Sequence, residues 1–237
     1  MPDYAGMSES VIKGQAQRTL DLVQAAISEG IDPKVILDSG LIPGMDVVGD
    51  RFRRNVIYVP EVLISARAMK AGVELLRPLL TSTGAKPMGT AIIGTIKGDL
   101  HDIGKNLVAM MWEGAGLKVV DIGINNPPEK YIKAILEHKA QIVGMSALLT
   151  TTMVNFKLVV QALEREGMRN QVKIMVGGAP VSAKFAKDIG ADGYAPDAAT
   201  AVEVVKQLLG ATPLRHEFAQ LQTLSTVSDG RTVGSVS

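Results

Sequence analysis

The 237-residue chain has no cysteine, one tryptophan and only 4% aromatic residues, and its 25 basic and 24 acidic side chains leave a formal net charge of +1. Each scarcity excludes something. Without thiols there is no disulfide framework, no iron–sulfur or zinc–thiolate site and no cysteine nucleophile. So few aromatics cannot supply base-stacking platforms or sugar-stacking clefts. Balanced charge lacks the basic excess that nucleic acid and anionic membrane surfaces attract, so neither is expected as a partner. No apolar run approaches the ~20 residues of a membrane span. The opening Met-Pro-Asp-Tyr lacks the basic, apolar, small-residue progression of a signal peptide, so a cytoplasmic protein is expected. What the chain does have is a 46% hydrophobic content, 24 glycines and 11 methionines. That is enough for one large domain or two small ones.

Two rhythms divide it. Residues 1–82 read as purely helical. Ser10 is a candidate cap for a helix carrying Val11, Leu20, Val23 and Ile27, which Gly30 stops. Asp32-Pro33 starts a short helix ending at Gly40, and Pro43-Gly44 opens a third. Pro60 begins the longest, where Val59, Val62, Leu63, Ala66, Met69, Val73 and Leu76 form one apolar stripe. Four antiparallel helices with short connections predict a four-helix bundle.

The stretch Thr81-Ser-Thr-Gly-Ala-Lys-Pro-Met-Gly89 has linker composition, with 83–89 as the expected boundary segment. From 90 to 210 strand-like runs at 90–94, 118–122, 141–145, 172–176 and 193–195 alternate with helical patterns. This spacing predicts a five-stranded parallel sheet covered on both faces, in the flavodoxin-like order 2-1-3-4-5 of a Rossmann-like domain. Residues 211–237 read as a C-terminal tail.

Ligands of such sheets bind beyond the carboxyl ends of the strands where the order reverses, here between strands 1 and 3. Topology brings together the loop Gly94–Asn106 and the loop Ser146-Ala-Leu-Leu-Thr-Thr-Thr152, beside Gly177-Gly178 at the end of strand 4. In this crevice His101 stands out, flanked by Asp99 and Asp102. A carboxylate on one imidazole nitrogen fixes the tautomer and raises the basicity of the other, the usual support of a metal-bound histidine. One protein ligand cannot hold a bare ion, but it suits a metal that brings its own equatorial ligands, such as a tetrapyrrole. Competing readings find less support. Strand 3 ends in Met145-Ser146, without a phospho-acceptor aspartate. Gly89, Gly94 and Gly98 form no dinucleotide fingerprint, and no nucleophile elbow surrounds Ser146. His138 at a helix end, His216 in the tail and Trp112 beside Met110-Met111 read as structural or solvated.

Asp99-x-His101-x-x-Gly104, Ser146-x-Leu148 and Gly177-Gly178 together resemble the cobalamin-binding signature of corrinoid Rossmann-like domains. Gly44-Met45-x-x-Val48-Gly49-x-x-Phe52 and Tyr58-Val-Pro60-Glu-Val62 resemble the helical cap of methyl-transferring corrinoid proteins, such as the cobalamin module of methionine synthase. The match covers roughly residues 10–210 and is nearest to the corrinoid subunit of anaerobic three-component methyltransferases. The resemblance implies a cobalamin or related corrinoid, cycling between methylcobalamin and cob(I)alamin, with His101 as the lower cobalt ligand. It makes Asp99 the hydrogen-bond partner of His101 and Thr152 the end of a proton relay. It places Gly98, Asp102, Ile103 and Gly104 of the same loop against the cofactor, and Ser146, Leu148, Thr150, Gly177 and Gly178 along its nucleotide tail. Phe52, Val59 and Val62 would cover its methyl-bearing face.

The function so implied is methyl carriage, by a subunit that is no catalyst alone. The donor would be methanol, a methylamine, betaine or a methoxylated aromatic. Its partners would be a substrate-specific methyltransferase, an acceptor methyltransferase of the tetrahydrofolate or thiol type, and a reductive activase. Two alternatives remain: a cobalamin-dependent sensor or regulator, and the small subunit of an adenosylcobalamin mutase. Trp112 lies outside the cap, where such a sensor places its tryptophan, and the mutase subunits lack the cap.

Overall fold

The computed structural model describes residues 2–82 and 87–210; residues 83–86 of the expected linker and the whole expected tail, 211–237, lie outside the described residues. The chain begins with α1 (Tyr4–Ile12) and α2 (Ala16–Ser28). Asp3 caps α1 by accepting the Gly6 N–H at 2.7 Å. Ser10, expected as a helix start, is instead buried inside α1, sharing a 2.7 Å hydrogen bond with Thr19 of α2. The break between these helices comes at Gly14, whose φ of +66° a side chain would strain.

Asp32 caps the next helix as expected, accepting the Lys34 N–H at 2.7 Å with Pro33 in the first turn. This helix does not stop at Gly40. From α3 (Pro33–Val35) the chain runs through a π-helical stretch, Ile36–Leu41, directly into α4 (Ile42–Arg53). Gly40 and Gly44 are small for another reason. A Cβ on Gly40 would fall 2.7 Å from Met7 Sδ, and one on Gly44 2.7 Å from the Ser8 carbonyl oxygen. Both glycines therefore let α1 cross this helix at close range, where the sequence reading makes them a stop and a start. With α5 (Val59–Ser82) the result is a bundle of four rods around Val11, Val23, Leu41, Val48, Met69 and Leu76.

The second half alternates strictly: β1 (Thr90–Thr95), α6 (Ile103–Gly114), β2 (Lys118–Asp121), α7 (Pro128–His138), β3 (Ile142–Ser146), α8 (Val154–Arg165), β4 (Lys173–Gly177), α9 (Ala183–Asp188), β5 (Gly193–Ala195) and α10 (Ala198–Leu208). All neighbouring strands pair in parallel, in the order β2-β1-β3-β4-β5. One face packs on Tyr131 and Phe156 of α7 and α8. The other packs on Trp112 of α6 and on Ala201 and Val205 of α10, and the Trp112 indole donates to the Ala201 carbonyl at 3.1 Å. The pairing register sets Thr95, Ser146 and Gly177 side by side at the carboxyl edge.

The bundle lies against the α6–α10 face, and its core is continuous with Leu107, Met111, Ala198 and Ala199. Along α4, Ile42 meets Gly116, Met45 meets Gly114 and Gly49 meets Met111, so α4 runs antiparallel to α6. The turn between α4 and α5 is thereby directed to the start of α6, the end that follows His101. Ion pairs Asp46–Lys206, at 2.8 Å, and Arg53–Glu203 join α4 to α10. Among the described residues no helix is long and apolar enough to cross a membrane.

Candidate cofactor site

Asp99 organises the site. It leaves β1 through a tight loop in which Gly98 has φ +82°, and its side chain has no solvent exposure. Oδ1 accepts from His101 Nδ1 at 2.7 Å and from the His101 N–H at 3.1 Å. Oδ2 accepts the N–H groups of Leu148 at 2.7 Å and Leu149 at 3.1 Å. Thr152 Oγ1 lies 3.0 Å from Oδ2 and 2.8 Å from the Leu149 carbonyl, so its single proton has two acceptors within reach. Burial pushes the Asp99 carboxyl up, but the donors from Leu148, His101 and Leu149 outweigh it and hold the group well below the usual carboxylate range.

An ionised carboxylate can only accept hydrogen bonds. The proton between the two side chains therefore belongs to His101 Nδ1, and a neutral ring carries its lone pair on Nε2. That nitrogen has no hydrogen-bond partner among the described residues, and the side chain is 50% exposed. The His101 carbonyl is tied back by Thr95 Oγ1 at 2.8 Å. The site thus presents one oriented imidazole lone pair. Among the described residues no cluster of three or more acidic or histidine side chains could hold a bare ion.

The surroundings of His101 suit a broad apolar ligand. Leu100, Ile103, Leu148 and Leu149 are all exposed, Ile103 at 80%; such apolar clusters around a polar group mark binding surfaces. Two glycines of the signature differ in kind. A Cβ on Gly178, with φ +120°, would fall 1.8 Å from the Ala147 carbonyl oxygen, so the fold itself requires this glycine. A Cβ on Gly104 would meet nothing within 4 Å. The protein has no internal need for a glycine there, but a ligand pressed against the start of α6 would.

The structure brings Gly98, Asp99, His101, Thr152, Ser146 and Leu148 together around one carboxylate and one strand edge. Thr150 is exposed on the adjoining turn. Gly177 closes β4 beside Ser146. Asp102 accepts from Asn106 Nδ2 at 3.1 Å; Asn106 Oδ1 in turn accepts from buried Lys105 at 2.7 Å, and Lys105 also pairs with Asp121. The cap positions are different. Phe52 is half-buried against the bundle core and Val59 is partly exposed, whereas Val62 has no accessible surface. A side chain with no surface cannot touch a cofactor in this arrangement, so Val62 is bundle core. Sequence reasoning missed Thr95, Leu149, Asn125, Asn155 and Lys105. Leu149 acts through its backbone and carries no signal, whereas Asn125, just before Asn126-Pro127-Pro128, has the composition of a structured turn.

A parallel sheet whose switch point offers one carboxylate-oriented histidine, ringed by exposed apolar residues, fits the class of proteins that bind a metal carried in its own macrocycle. Two family models, each described as a B12 binding domain, match residues 4–77 and 89–203. Trimethylamine corrinoid protein 2 of Methanosarcina mazei is 41% identical over 207 residues, covering 86% of this chain and 95% of that one. Dimethylamine corrinoid protein 3 of Methanosarcina acetivorans is 40% identical over 213 residues, 88% of this chain and all of that one. Among solved structures, the methanol:cobalamin methyltransferase complex MtaBC from Methanosarcina barkeri aligns with TM-score 0.77 at 32% identity, covering 88% of this chain and 80% of that chain. The chain belongs to the corrinoid protein family and binds cobalamin or a related corrinoid.

Proposed function

We propose that this chain carries methyl groups on its corrinoid between a substrate-specific methyltransferase and an acceptor methyltransferase of the tetrahydrofolate or thiol type, with a reductive activase as a third partner. The observation that carries this reading is the Asp99-held imidazole with its free Nε2 at the switch point. Relatives named for trimethylamine and dimethylamine, and a structural relative in a methanol methyltransferase complex, support a small methylated amine or alcohol as the donor class. When bound, the corrinoid supplies a cobalt able to accept and release a methyl group, chemistry that no side chain here provides.

The chain's own residues divide the remaining work. His101 would hold the cobalt of the corrinoid through Nε2. Asp99, held ionised by its donors, keeps the proton on Nδ1 instead of taking it, which makes its role chiefly orientation and charge balance. Thr152, with two acceptors in reach, ties that carboxylate to the turn at Leu149. Gly104, Ile103 and Asp102 would border the cofactor on the loop side, and Ser146, Thr150, Gly177 and Gly178 would border its tail. Residues 1–82 act as a cap, with Phe52, Val59 and the exposed Val56 and Tyr58 of the α4–α5 turn excluding water from the reactive side. Such a cap has to clear the 90–210 domain for each partner to reach the cofactor.

The test is to load the protein with cobalamin, reduce it, and add methylated amines, methanol or betaine with and without each cognate methyltransferase. Methylation that requires both donor and partner supports the carrier. Methylation by a donor alone, or no cobalamin binding, contradicts it.

A further inference from the structure

We infer that Asn125 and Asn155 are positioning residues for the axial histidine, two side chains from separate elements that clamp the loop leading to His101. The inference rests on His101 being the cobalt ligand. Between β1 and the histidine, Ile96 donates its N–H to the Ser146 carbonyl at 3.1 Å and Asp99 its N–H to the Ile96 carbonyl at 3.2 Å; the next contacts come from two asparagines. Lys97 offers its carbonyl to Asn155 Nδ2 at 3.0 Å, and the same amide donates to the Thr152 carbonyl at 3.1 Å. Gly98 donates its N–H to Asn125 Oδ1 at 2.8 Å. The Asp99 carbonyl accepts the Asn125 N–H at 3.1 Å. Three successive residues are thus held by two asparagines, Asn125 from the β2–α7 loop and Asn155 from the first turn of α8.

The arrangement is specific to the residue types. Asn125 has φ +53°, a left-handed conformation that asparagine tolerates better than most residues, and this turns its side chain and its N–H onto the same loop. Asn155 uses both protons of one amide to bridge the loop bearing His101 to the turn bearing Thr152. Asp99 fixes which nitrogen of the ring is free, but it lies on the same loop and moves with it. Only contacts from outside the loop can set where the imidazole stands relative to the sheet, and Asn125 and Asn155 supply these alongside Leu148, Leu149 and Thr152. Gly98 and Asn155 also border a cleft of about 450 Å³ between α7 and α8, and Lys97 and Gly98 are exposed there, so the Gly98 amide is guarded from exchange by its hydrogen bond and not by burial.

The test uses Asn125→Gly, which keeps the left-handed backbone but removes the acceptor, Asn125→Asp, which keeps the acceptor, and Asn155→Ala. Hydrogen exchange of the Gly98 amide is measured on the apoprotein. Electron paramagnetic resonance of the cob(II)alamin form and cobalamin affinity are measured on the loaded protein. Losing one net hydrogen bond should speed Gly98 exchange roughly three- to tenfold in Asn125→Gly. Asn125→Asp should exchange as the parent does. Asn125→Gly and Asn155→Ala should each broaden the axial-nitrogen splitting and weaken cobalamin binding, with larger effects in the double variant. Unchanged exchange and unchanged splitting in the double variant would overturn the inference. Absence of nitrogen splitting in the parent protein would instead overturn the assignment of His101, which the exchange measurement does not touch.

Discussion

The loop side and the proposed cap side of the binding site are built by opposite means. On the loop side a buried carboxylate collects five donors, every one from a different atom within two short segments, and fixes one imidazole. On the cap side, the α4–α5 turn shows exposed Val56 and Tyr58, and α4 joins α6 and α10 through apolar packing and two ion pairs on the helix faces. A ligand atom must be held in one direction, which takes buried, fully satisfied hydrogen bonds. A cover that has to come off needs contacts that are weak one by one. The same chain therefore places its rigidity around the proposed metal ligand, His101, and its looser contacts at the proposed cap.

The largest effect should come from breaking the loop side where the fold itself depends on it. Gly178→Ala forces a side chain onto the Ala147 carbonyl at φ +120° and should cost more than about 3 kcal/mol, read as loss of soluble protein or a collapsed thermal midpoint. Asp99→Asn comes next. Its amide cannot accept from Leu148, Leu149 and both donors of His101 together, so about 1–3 kcal/mol of apoprotein stability should go in denaturant titrations. Turned so that its NH₂ faces Nδ1, it would also move the ring proton to Nε2, abolishing axial ligation even where the fold survives.

The same residue gives the apoprotein an acid limb. Because the folded Asp99 carboxyl lies below its unfolded value of about 3.9, its contribution is complete above that pH and fades as pH falls below it. Stability measured from pH 6 down to pH 3 should drop less steeply in Asp99→Asn. On the cap side, Lys206→Ala removes a partly buried pair and should cost the apoprotein at most about 1 kcal/mol while making residues near the linker easier to proteolyse. Equal proteolysis in variant and parent would mean that the ion pairs do not hold the cap. The smallest change in stability belongs to Gly104→Ala. With no protein atom within 4 Å of the new Cβ, the apoprotein should be unchanged or steadier by up to about 1 kcal/mol, yet cobalamin should bind more weakly.

The sheet was legible because its strands are short apolar runs cut off by glycine, asparagine and proline, and each lies within a residue or so of its expected bounds. The switch point followed from topology, and with it the meeting of Asp99, His101, Ser146 and Thr152. The bundle was less legible. Gly40 and Gly44 carry the local signature of helix punctuation, but what selects them is a close crossing by α1, a tertiary fact with no local trace. Val62 shares the stripe of Val59, and only the packed bundle separates the residue that is buried from the one that is not. The backbone donors of Leu148 and Leu149, and the asparagine clamp, were invisible for the same reason: hydrogen bonds between distant loops leave no periodicity.

The most direct test of the account is the electron paramagnetic resonance spectrum of the cob(II)alamin-loaded protein, grown once with ordinary and once with heavy-nitrogen-labelled histidine. The account predicts a threefold nitrogen splitting that becomes twofold with the label and vanishes in His101→Gln. A splitting that ignores the label, or survives that substitution, would contradict it.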